Sequence, residues 1–475
     1  MMKVNLLIGC LLLAQLTGFA KETGKPNVLF FITDDESWIE RSAYGWSNLP
    51  TPHFDRVARD GVLFMNAYAS APSCAPSRAA ILTGRNFWEL EQGAFIQAWL
   101  PKKFPVFPAL LKQAGYHTGF TRKSWGPGMY PPEGHGPDVA GQVYDEALLE
   151  SPPPGIDPND YAENFERFLA DRKPGQPFFF WAGVYEPHLP WGEGNHERLA
   201  NEFGVPLENV PVPPIVEDSM RNRKRRGDFL YEICTADQQL GHMLDRLESL
   251  GELENTLVVV TSDNGSVIED LEAAIPLDRG KTTPDDLGVH EPLAVMWPAG
   301  IKAGRKVTDF VRLADFAPTF LELAGVEVPD SMSARSLRNI LTSEDSGRIE
   351  PERSFIITGV EWHGEFDPAS KSARTICNDR YAYIVYYANV DESGNALSDE
   401  NAVKPVIEKL FDMQADPWQM NNLIDDERYT EVKQRLFEQL QAEGMRTSDP
   451  RATGEMSIFR ETRDFVQQRK RNGYK

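Results

Sequence analysis

The chain has 475 residues, of which 41% are hydrophobic and 25% are charged. This composition is typical of a globular protein and excludes a disordered or fibrous one, and the length suits one large domain with a smaller one. The formal net charge of −22 opposes nucleic acid or an anionic membrane surface as a general partner, so an anionic substrate would need a locally basic pocket.

The first twenty residues have the pattern of a secretory signal peptide, which we predict over residues 1–20. Lys3 precedes an apolar run over residues 6–16, and small residues then supply a cleavage site. We therefore expect an exported protein, either periplasmic or secreted. A lipid anchor on Cys10 is the less favoured alternative, because the apolar run continues past that cysteine. No later segment has the ~20 apolar residues of a membrane span.

Polar residues follow two apolar runs that have the length of buried strands. The runs cover residues 27–33 and 256–262, and strands alternate with helical periodicity along the chain. In an α/β sheet of parallel strands, ligands bind at the carboxyl ends of the strands. The polar residues at the two predicted strand ends are Asp34, Asp35, Asp263 and Asn264. Because all four offer oxygen atoms, they can converge on one hard cation, with Ca²⁺ favoured over Mg²⁺.

A cysteine motif lies between these two strands. Cys74 begins the sequence C-A-P-S-R over residues 74–78, and L-T-G-R follows over residues 82–85. The short motif alone also fits a structural cysteine in a proline turn, and acidic pairs after strands are common turn formers. Their joint occurrence resembles the type I, formylglycine-dependent sulfatases of the alkaline phosphatase superfamily, from about Pro26 to Leu423. Further segments similar to that family cover residues 51–56, 115–119, 186–190, 313–319 and 410–413.

The resemblance implies a fold and a division of the chain. The expected fold is α/β, with a large mixed, mainly parallel sheet between layers of helices and a smaller C-terminal α+β subdomain with an antiparallel sheet. We place the catalytic domain over residues 21–347 and the C-terminal subdomain, with its terminal helix, over residues 348–475.

The resemblance also implies that a formylglycine-generating or sulfatase-maturing enzyme oxidises Cys74 to formylglycine. The residues matching the ligands of one Ca²⁺ ion are Asp34, Asp35, Cys74 in its modified form, Asp263 and Asn264. Arg78 matches the arginine that holds the formylglycine hydrate and the carboxylates. One hydroxyl of a hydrated aldehyde can attack sulfur, and the other can later expel sulfate as the aldehyde re-forms.

Three further residues match groups that contact the sulfate or the leaving group. Lys123 and Lys281 match the two lysines, and His188 matches a histidine that protonates the leaving group or holds the sulfate. The chain departs from the family at Trp125, where a histidine is common. His290 or His363 could take over part of that role, and a structural or surface imidazole is the alternative for each.

Several segments look most like bacterial heparan N-sulfatase (sulfamidase)-like proteins. They cover residues 178–188, 361–363 and 416–423, and Trp362 and His363 are candidate substrate contacts alongside His290. The predicted function is hydrolysis of O-sulfate or N-sulfate groups on a sulfated glycan. The alternatives are a phosphodiester or phosphonate hydrolase that uses the same modified cysteine, and a degenerate sulfatase that only binds sulfated glycan, which the Trp125 departure leaves open.

Overall fold

A computed structural model of the chain describes residues 24–274, 278–363, 372–387 and 403–471. The predicted signal peptide and the candidate lipid anchor lie outside these residues, so both stay predictions. Within the described residues, no helix has the length and the apolar character needed to cross a membrane.

Eight strands form the main sheet. They are β1 (Asn27–Thr33), β2 (Val62–Tyr68), β3 (His117–Arg122), β4 (Gln142–Val143), β5 (Phe178–Gly183), β6 (Thr256–Ser262), β7 (Leu293–Met296) and β8 (Arg305–Arg312). Their order is β4-β3-β5-β1-β6-β7-β2-β8. β7 runs antiparallel to β6 and β2, and the other neighbours pair in parallel. The predicted mixed, mainly parallel sheet is confirmed.

Helices cover both faces of this sheet and continue into the C-terminal region. They are α1 (Pro52–Arg59), α2 (Cys74–Thr83), α3 (Phe107–Gln113), α4 (Tyr161–Asp171), α5 (Asn195–Phe203), α6 (Met220–Ser249), α7 (Asp286–Val289), α8 (Phe316–Leu323), α9 (Arg338–Thr342), α10 (Thr430–Arg446), α11 (Pro450–Thr453) and α12 (Ser457–Arg471). Side chains of α2, α3 and α8 pack on one face of the main sheet, and those of α1, α4 and α6 pack on the other.

The central strand β1 shows why the sheet is covered on both sides. Successive side chains of a strand point to opposite faces. Val28, Phe30 and Ile32 join the core on one face, and Leu29 and Phe31 join the core on the other. A continuous apolar run is therefore the pattern that this position requires.

The second sheet is antiparallel, as the sequence predicted. Its strands are β9 (Phe355–Val360), β10 (Ser372–Asn378), β11 (Tyr381–Tyr387) and β12 (Pro405–Asp412), in the order β12-β11-β10-β9. The helix predicted in this region corresponds to α10, which packs against the sheet through buried leucines, and α11 and α12 follow it. The domain boundary after residue 347 stays a prediction.

Candidate active site

The candidate site lies where β1 and β6 end. The two strands pair in parallel with Thr33 opposite Ser262, so the residues that follow them leave the sheet side by side. The backbone amide of Asp263 donates to the Thr33 carbonyl at 3.1 Å. Asp34 and Asn264 flank this contact, and both are completely buried. The register of one strand pair thus brings together residues more than 200 positions apart in the chain.

Asp35 connects the two strand ends. Its backbone adopts a φ of 77°, in the left-handed region that a residue other than glycine rarely occupies. Its amide donates to Asp263 Oδ1 at 3.2 Å, and Asn264 Nδ2 donates to Asp35 Oδ1 at 2.8 Å. A strained backbone held by buried hydrogen bonds is typical of a functional site.

Cys74 faces these carboxylates from the first turn of α2. Its Sγ lies 3.4 Å from Asp34 Oδ1 and 3.8 Å from Asp35 Oδ1. Burial and the charge of Asp34 raise the pKa of the thiol. The thiolate is the nucleophilic form of cysteine, so the unmodified side chain is poorly suited to attack a substrate here.

Each carboxylate of the site has a cationic partner. Lys123 Nζ contacts Asp34 Oδ2, and Lys281 Nζ donates to Asp35 Oδ2 at 2.5 Å. Arg78 Nε donates to Asp263 Oδ2 at 2.6 Å. Burial by itself raises the pKa of Asp34, but the surrounding cations, Lys123 foremost, lower it well below its usual value. The Asp34 carboxylate therefore stays ionised although it is buried.

His188 lies on the partly exposed side of the site. Its Nε2 is 3.8 Å from Asp35 Oδ2, and its Nδ1 lies 2.7 Å from the Leu189 carbonyl, to which it can only donate. In the neutral ring, Nε2 is then the unprotonated nitrogen, and it faces the carboxylates. His188 can therefore accept or release a proton at the edge of the site.

The donor atoms fit a hard divalent cation. The ligand atoms of Asp34, Asp35, Cys74 and His188 all lie within 4.8 Å of one another. Among the described residues, Asn264 Oδ1 is buried without a hydrogen-bond partner. When all are ionised, the three carboxylates and their three cationic partners cancel, so one Ca²⁺ would make the group positive by two charges. The oxygen donors of this group suit Ca²⁺. The positive charge of the group with Ca²⁺ bound would then favour an anionic substrate.

The structure does not bring His290 to this group. Its Nδ1 is 3.1 Å from Asp286 Oδ1, its Nε2 is 3.0 Å from the Met65 carbonyl, and its ring stacks on Tyr68 at 4.5 Å. Both nitrogens are used by buried protein acceptors, which leaves none for a substrate. The predicted substrate contact is corrected here, because the imidazole holds α7 against β2.

The two candidates from the C-terminal region differ. Trp362 is 5% exposed and belongs to the hydrophobic core, so its ring offers no face for stacking on a sugar, and that expectation is corrected. His363 Nδ1 lies 2.8 Å from Ser73 Oγ, beside Cys74. Of the histidines proposed to replace the missing one, His363 is the one that contacts the residue directly before the cysteine motif.

Trp125 braces the turn that carries Cys74. Its Nε1 donates to the Ala75 carbonyl at 3.2 Å, and its side chain is 7% exposed. The indole thus supports the backbone of the cysteine motif and presents no titratable group to it.

Two residues that sequence reasoning missed line the same side as His188. The Tyr185 ring lies 4.8 Å from the His188 ring, and the Arg122 guanidinium lies 4.7 Å from the Tyr185 ring. Arg122 directly precedes Lys123, and Tyr185 lies three residues before His188. Proximity to predicted site residues is the signal that could have found them.

A cavity of about 240 Å³ lies elsewhere, beside β8 and β9. Trp88, Arg312 and Arg353 are among its lining residues, and none of the residues predicted for the site lines it. Cavity size alone therefore does not mark the chemistry of this protein.

Comparison with known proteins agrees with this geometry. The family model described as Sulfatase matches residues 26–326, and the model described as N-sulphoglucosamine sulphohydrolase, C-terminal, matches residues 285–446. An N-acetylglucosamine-6-O-sulfatase of Bacteroides thetaiotaomicron is 26% identical over 511 residues, covering 89% of this chain and 86% of the relative. The human N-acetylgalactosamine-6-sulfatase is 30% identical over 369 residues, covering 70% of this chain and 68% of the relative.

A solved structure has the same fold. It is a protein in complex with its substrate D-glucosamine-2-N,6-O-disulfate, with a TM-score of 0.67 and 23% sequence identity, and the alignment covers 90% of this chain and 98% of that one.

Proposed function

Because this chain belongs to the sulfatase family, we propose that it hydrolyses sulfate groups of a sulfated carbohydrate. The observation that carries the proposal is the buried group in which Asp34, Asp35, Lys123 and Lys281 surround Cys74. Relatives named for activity on sulfated amino sugars support the substrate class.

We further propose that the active protein carries Ca²⁺ and formylglycine at position 74. Asp34, Asp35, Asp263 and Asn264, with the modified residue 74, would hold the ion. The hydrated formylglycine would supply the nucleophile, and the ion would supply positive charge against the sulfate oxygens. The raised pKa of the Cys74 thiol supports a need for this modification.

The remaining roles fall to side chains of this chain. Lys123 and Lys281 place two ammonium groups beside Cys74, where they would bind sulfate oxygens and offset charge in the transition state. Arg78 holds Asp263 in place and, because a guanidinium stays charged, keeps that carboxylate oriented. His188 Nε2, on the open side, would take up a proton and then, from the imidazolium form, deliver it to the departing sugar oxygen or nitrogen.

An N-sulfated sugar is the finer proposal. The match of residues 285–446 to the C-terminal model of N-sulphoglucosamine sulphohydrolase supports N-sulfate. The relatives named as 6-sulfatases support O-sulfate instead. Both lysines and His188 can serve a departing sugar oxygen or a departing sugar nitrogen. Substrate turnover therefore separates the O-sulfate proposal from the N-sulfate proposal.

The protein would act after export and maturation. The predicted signal peptide over residues 1–20 supports a periplasmic or secreted location, and the cysteine motif supports a formylglycine-generating or sulfatase-maturing enzyme as a partner during biogenesis. Cell fractionation checks the location, and finding the protein in the cytosolic fraction with residues 1–20 still attached would contradict it.

The test is release of inorganic sulfate by calcium-loaded protein in which mass spectrometry has verified formylglycine at position 74. The panel contains N-sulfated and O-sulfated glucosamine, glycosaminoglycan and algal oligosaccharides, and a phosphate diester. Cys74→Ala is the control. Release from N-sulfated glucosamine alone supports the sulfamidase proposal, and release from O-sulfated members alone contradicts it while keeping the sulfatase.

Other outcomes would favour the alternatives. Turnover of the diester alone would favour a phosphodiester hydrolase. Glycan binding without any turnover by verified, calcium-loaded protein would favour a degenerate binder. Against that binder, the carboxylates, both lysines and Arg78 are present together around Cys74.

A further inference from the structure

Arg122 has an unusual backbone at the end of β3. Its φ is 63°, in the left-handed region that glycine adopts without strain and arginine does not favour. Its amide donates to Asp145 Oδ1 at 2.7 Å, and the amide of Lys123 donates to the Gly183 carbonyl at 3.0 Å. These bonds hold the turn, from which the Lys123 side chain reaches Asp34 and the Arg122 side chain reaches Tyr185. A strained backbone beside a proposed active site is often retained for function, which makes the Arg122 side chain a candidate functional group.

The Arg122 side chain is joined to the catalytic group through the ring of Tyr185. Its guanidinium lies 4.7 Å from the Tyr185 ring, which lies 4.8 Å from His188. Burial, followed by the charge of Asp34, raises the pKa of the Tyr185 hydroxyl, so this ring lies within the field of the site. Arg122, Tyr185 and His188 therefore form one wall, which we call the Arg122 wall.

The Arg122 guanidinium keeps unused donors at this wall. Its Nε donates to Asp157 Oδ2 at 2.7 Å, and its side chain is 36% exposed. Within the part of the chain that the structure describes, neither Nη group has a hydrogen-bond partner. The bond through Nε and the Tyr185 ring fix the orientation of the plane, so the two Nη groups are presented in a fixed direction. A planar fork of this kind matches the paired oxygens of a carboxylate or a sulfate.

We propose that Arg122 binds a second anionic group of the substrate, a carboxylate or a second sulfate, beside the sulfate that is removed. This inference rests on the proposed function and narrows its substrate class to sugars or oligosaccharides that carry at least two negative groups. Lys123, Lys281 and the metal site would bind the sulfate to be cleaved, and Arg122 would select among sulfated sugars by the neighbouring group. Because the net charge is −22, an anionic ligand needs locally basic surroundings, and Arg122 adds a cation to those of the two lysines.

The test compares ligands that differ by one anionic group. Isothermal titration measures binding of D-glucosamine N-sulfate, D-glucosamine 6-O-sulfate, D-glucosamine-2-N,6-O-disulfate and an N-sulfated disaccharide with a uronic acid. The protein is calcium-loaded Cys74→Ala, with and without Arg122→Gly. Glycine suits the φ of this position, so the fold is expected to survive, and thermal unfolding checks that it does.

The expected result is selective. Arg122→Gly lowers the affinity for the disulfated sugar or the uronate by roughly 10–100-fold, as expected for the loss of a charged hydrogen bond, and changes the affinities of both monosulfated sugars much less. The ligand that loses affinity identifies the anion as sulfate or carboxylate. Arg122→Lys, which keeps the charge but not the fork, should lose part of this preference.

A matched control lies in the second sheet. Arg380 also lies over an aromatic ring, Tyr381 at 5.1 Å, and also pairs with a carboxylate, Asp412 at 3.0 Å. Arg380→Ala should leave the preference among ligands unchanged. An equal loss for every ligand in Arg122→Gly, no loss for any, or no measurable binding of the doubly anionic ligands by the parent protein would overturn the proposal. Sulfate release by the matured protein is a separate measurement, so failure of the proposed function is distinguishable from failure of this inference.

Discussion

Among the buried groups of charged residues in the described part of the chain, two differ clearly in how completely their atoms are paired. The candidate active site lies at the ends of β1 and β6. A second group, the C-terminal ionic cluster, consists of Glu361, Arg374, Asp449 and Arg451. The four residues of this cluster lie below 5% exposure, and so do Asp34, Asp35, Asp263 and Arg78 of the candidate active site. Burial of charge alone therefore does not tell function from structural support.

The C-terminal ionic cluster is closed. Arg374 Nε and Nη2 donate to the two oxygens of Asp449 at 2.7 Å each, and Arg374 and Arg451 both lie 2.8 Å from Glu361. Burial raises the pKa of Glu361, but the two arginines lower it below its usual value. Two positive and two negative groups satisfy one another, so the cluster joins β10 to the terminal helices and offers nothing to a ligand.

The candidate active site is open by comparison. Among the described residues, Asn264 Oδ1 and Arg78 Nη2 are buried without hydrogen-bond partners, and Asp35 has a strained backbone. Since unsatisfied buried polar atoms are costly, natural proteins keep them mainly where a ligand or a reaction needs them. Incomplete pairing therefore separates the candidate active site from the C-terminal ionic cluster, although atoms elsewhere, such as both carboxyl oxygens of Glu232, are also unpaired.

The largest expected effect is a loss of sulfate release when the candidate active site is changed and the fold is kept. Cys74→Ala should lower sulfate release at least ~1000-fold, because the nucleophile is made from this residue. Its thermal midpoint should stay near that of the parent, because the side chain makes only long contacts to the carboxylates. Ion chromatography of sulfate and thermal unfolding check both parts. Residual turnover close to that of the parent would contradict the assignment of Cys74.

A substitution in the C-terminal ionic cluster should lower stability and leave activity unchanged. Arg374→Ala leaves Asp449 and Glu361 with fewer partners, and removing one member of a buried ion pair costs about 3–5 kcal/mol of the free energy of unfolding. Urea denaturation measures this loss. Sulfate release per folded molecule should remain near that of the parent. A loss of activity without a loss of stability would show that the C-terminal ionic cluster has a role beyond support.

Calcium should stabilise the folded protein by binding at the candidate active site. A ligand that binds the folded state at 100 times its dissociation constant adds about 2.7 kcal/mol of stability. Thermal unfolding with Ca²⁺ and with a chelator should therefore differ for the parent protein, and the difference should shrink in Asn264→Ala, which removes an unpaired buried oxygen. Arg380→Ala, a surface change in the second sheet, should keep the full difference. An equal calcium response in Asn264→Ala would remove this residue from the proposed ligands.

Glu232 sharpens the comparison, because its carboxyl group is buried and, among the described residues, forms no ion pair. Among the described residues neither of its carboxyl oxygens has a hydrogen-bond partner, and burial and the charge of Glu186 raise its pKa to about 10. A pKa above the unfolded value of about 4.5 means that stability is complete below pH 4.5 and falls as pH rises toward 10. Between pH 6 and 8 the loss should be about 1 kcal/mol per pH unit.

The matched variant is Glu232→Gln, which keeps the shape and removes the titration. Urea denaturation at pH 6, 7 and 8 should show a flatter pH dependence of the free energy of unfolding in this variant than in the parent. Equal slopes would show that Glu232 is ionised in the folded state.

The smallest expected effect concerns the support of the cysteine motif. Trp125→Phe removes the hydrogen bond to the Ala75 carbonyl and should cost about 1 kcal/mol of the free energy of unfolding. If Trp125 also orients residue 74, kcat should fall while KM changes little. A change in KM alone would place Trp125 at the substrate and not under the nucleophile.

The sequence by itself determined the strands that carry the site. The predicted runs over residues 27–33 and 256–262 coincide with β1 and β6. A strand buried on both faces must be apolar throughout, and the polar residues that end it are adjacent in the chain, so both signals are local. The resemblance to type I sulfatases then placed the cysteine motif and the four oxygen-bearing residues in one site before their geometry was known.

Only the tertiary structure decided which other residues reach that site. His290 was proposed as a substitute for the missing histidine, and Trp362 from the family resemblance, but the imidazole pairs with α7 and the indole packs in the core. Arg122 and Tyr185 belong to the wall beside His188 because separate segments meet there. Burial and side-chain direction depend on contacts between distant segments, and periodicity and motifs carry information about near neighbours alone.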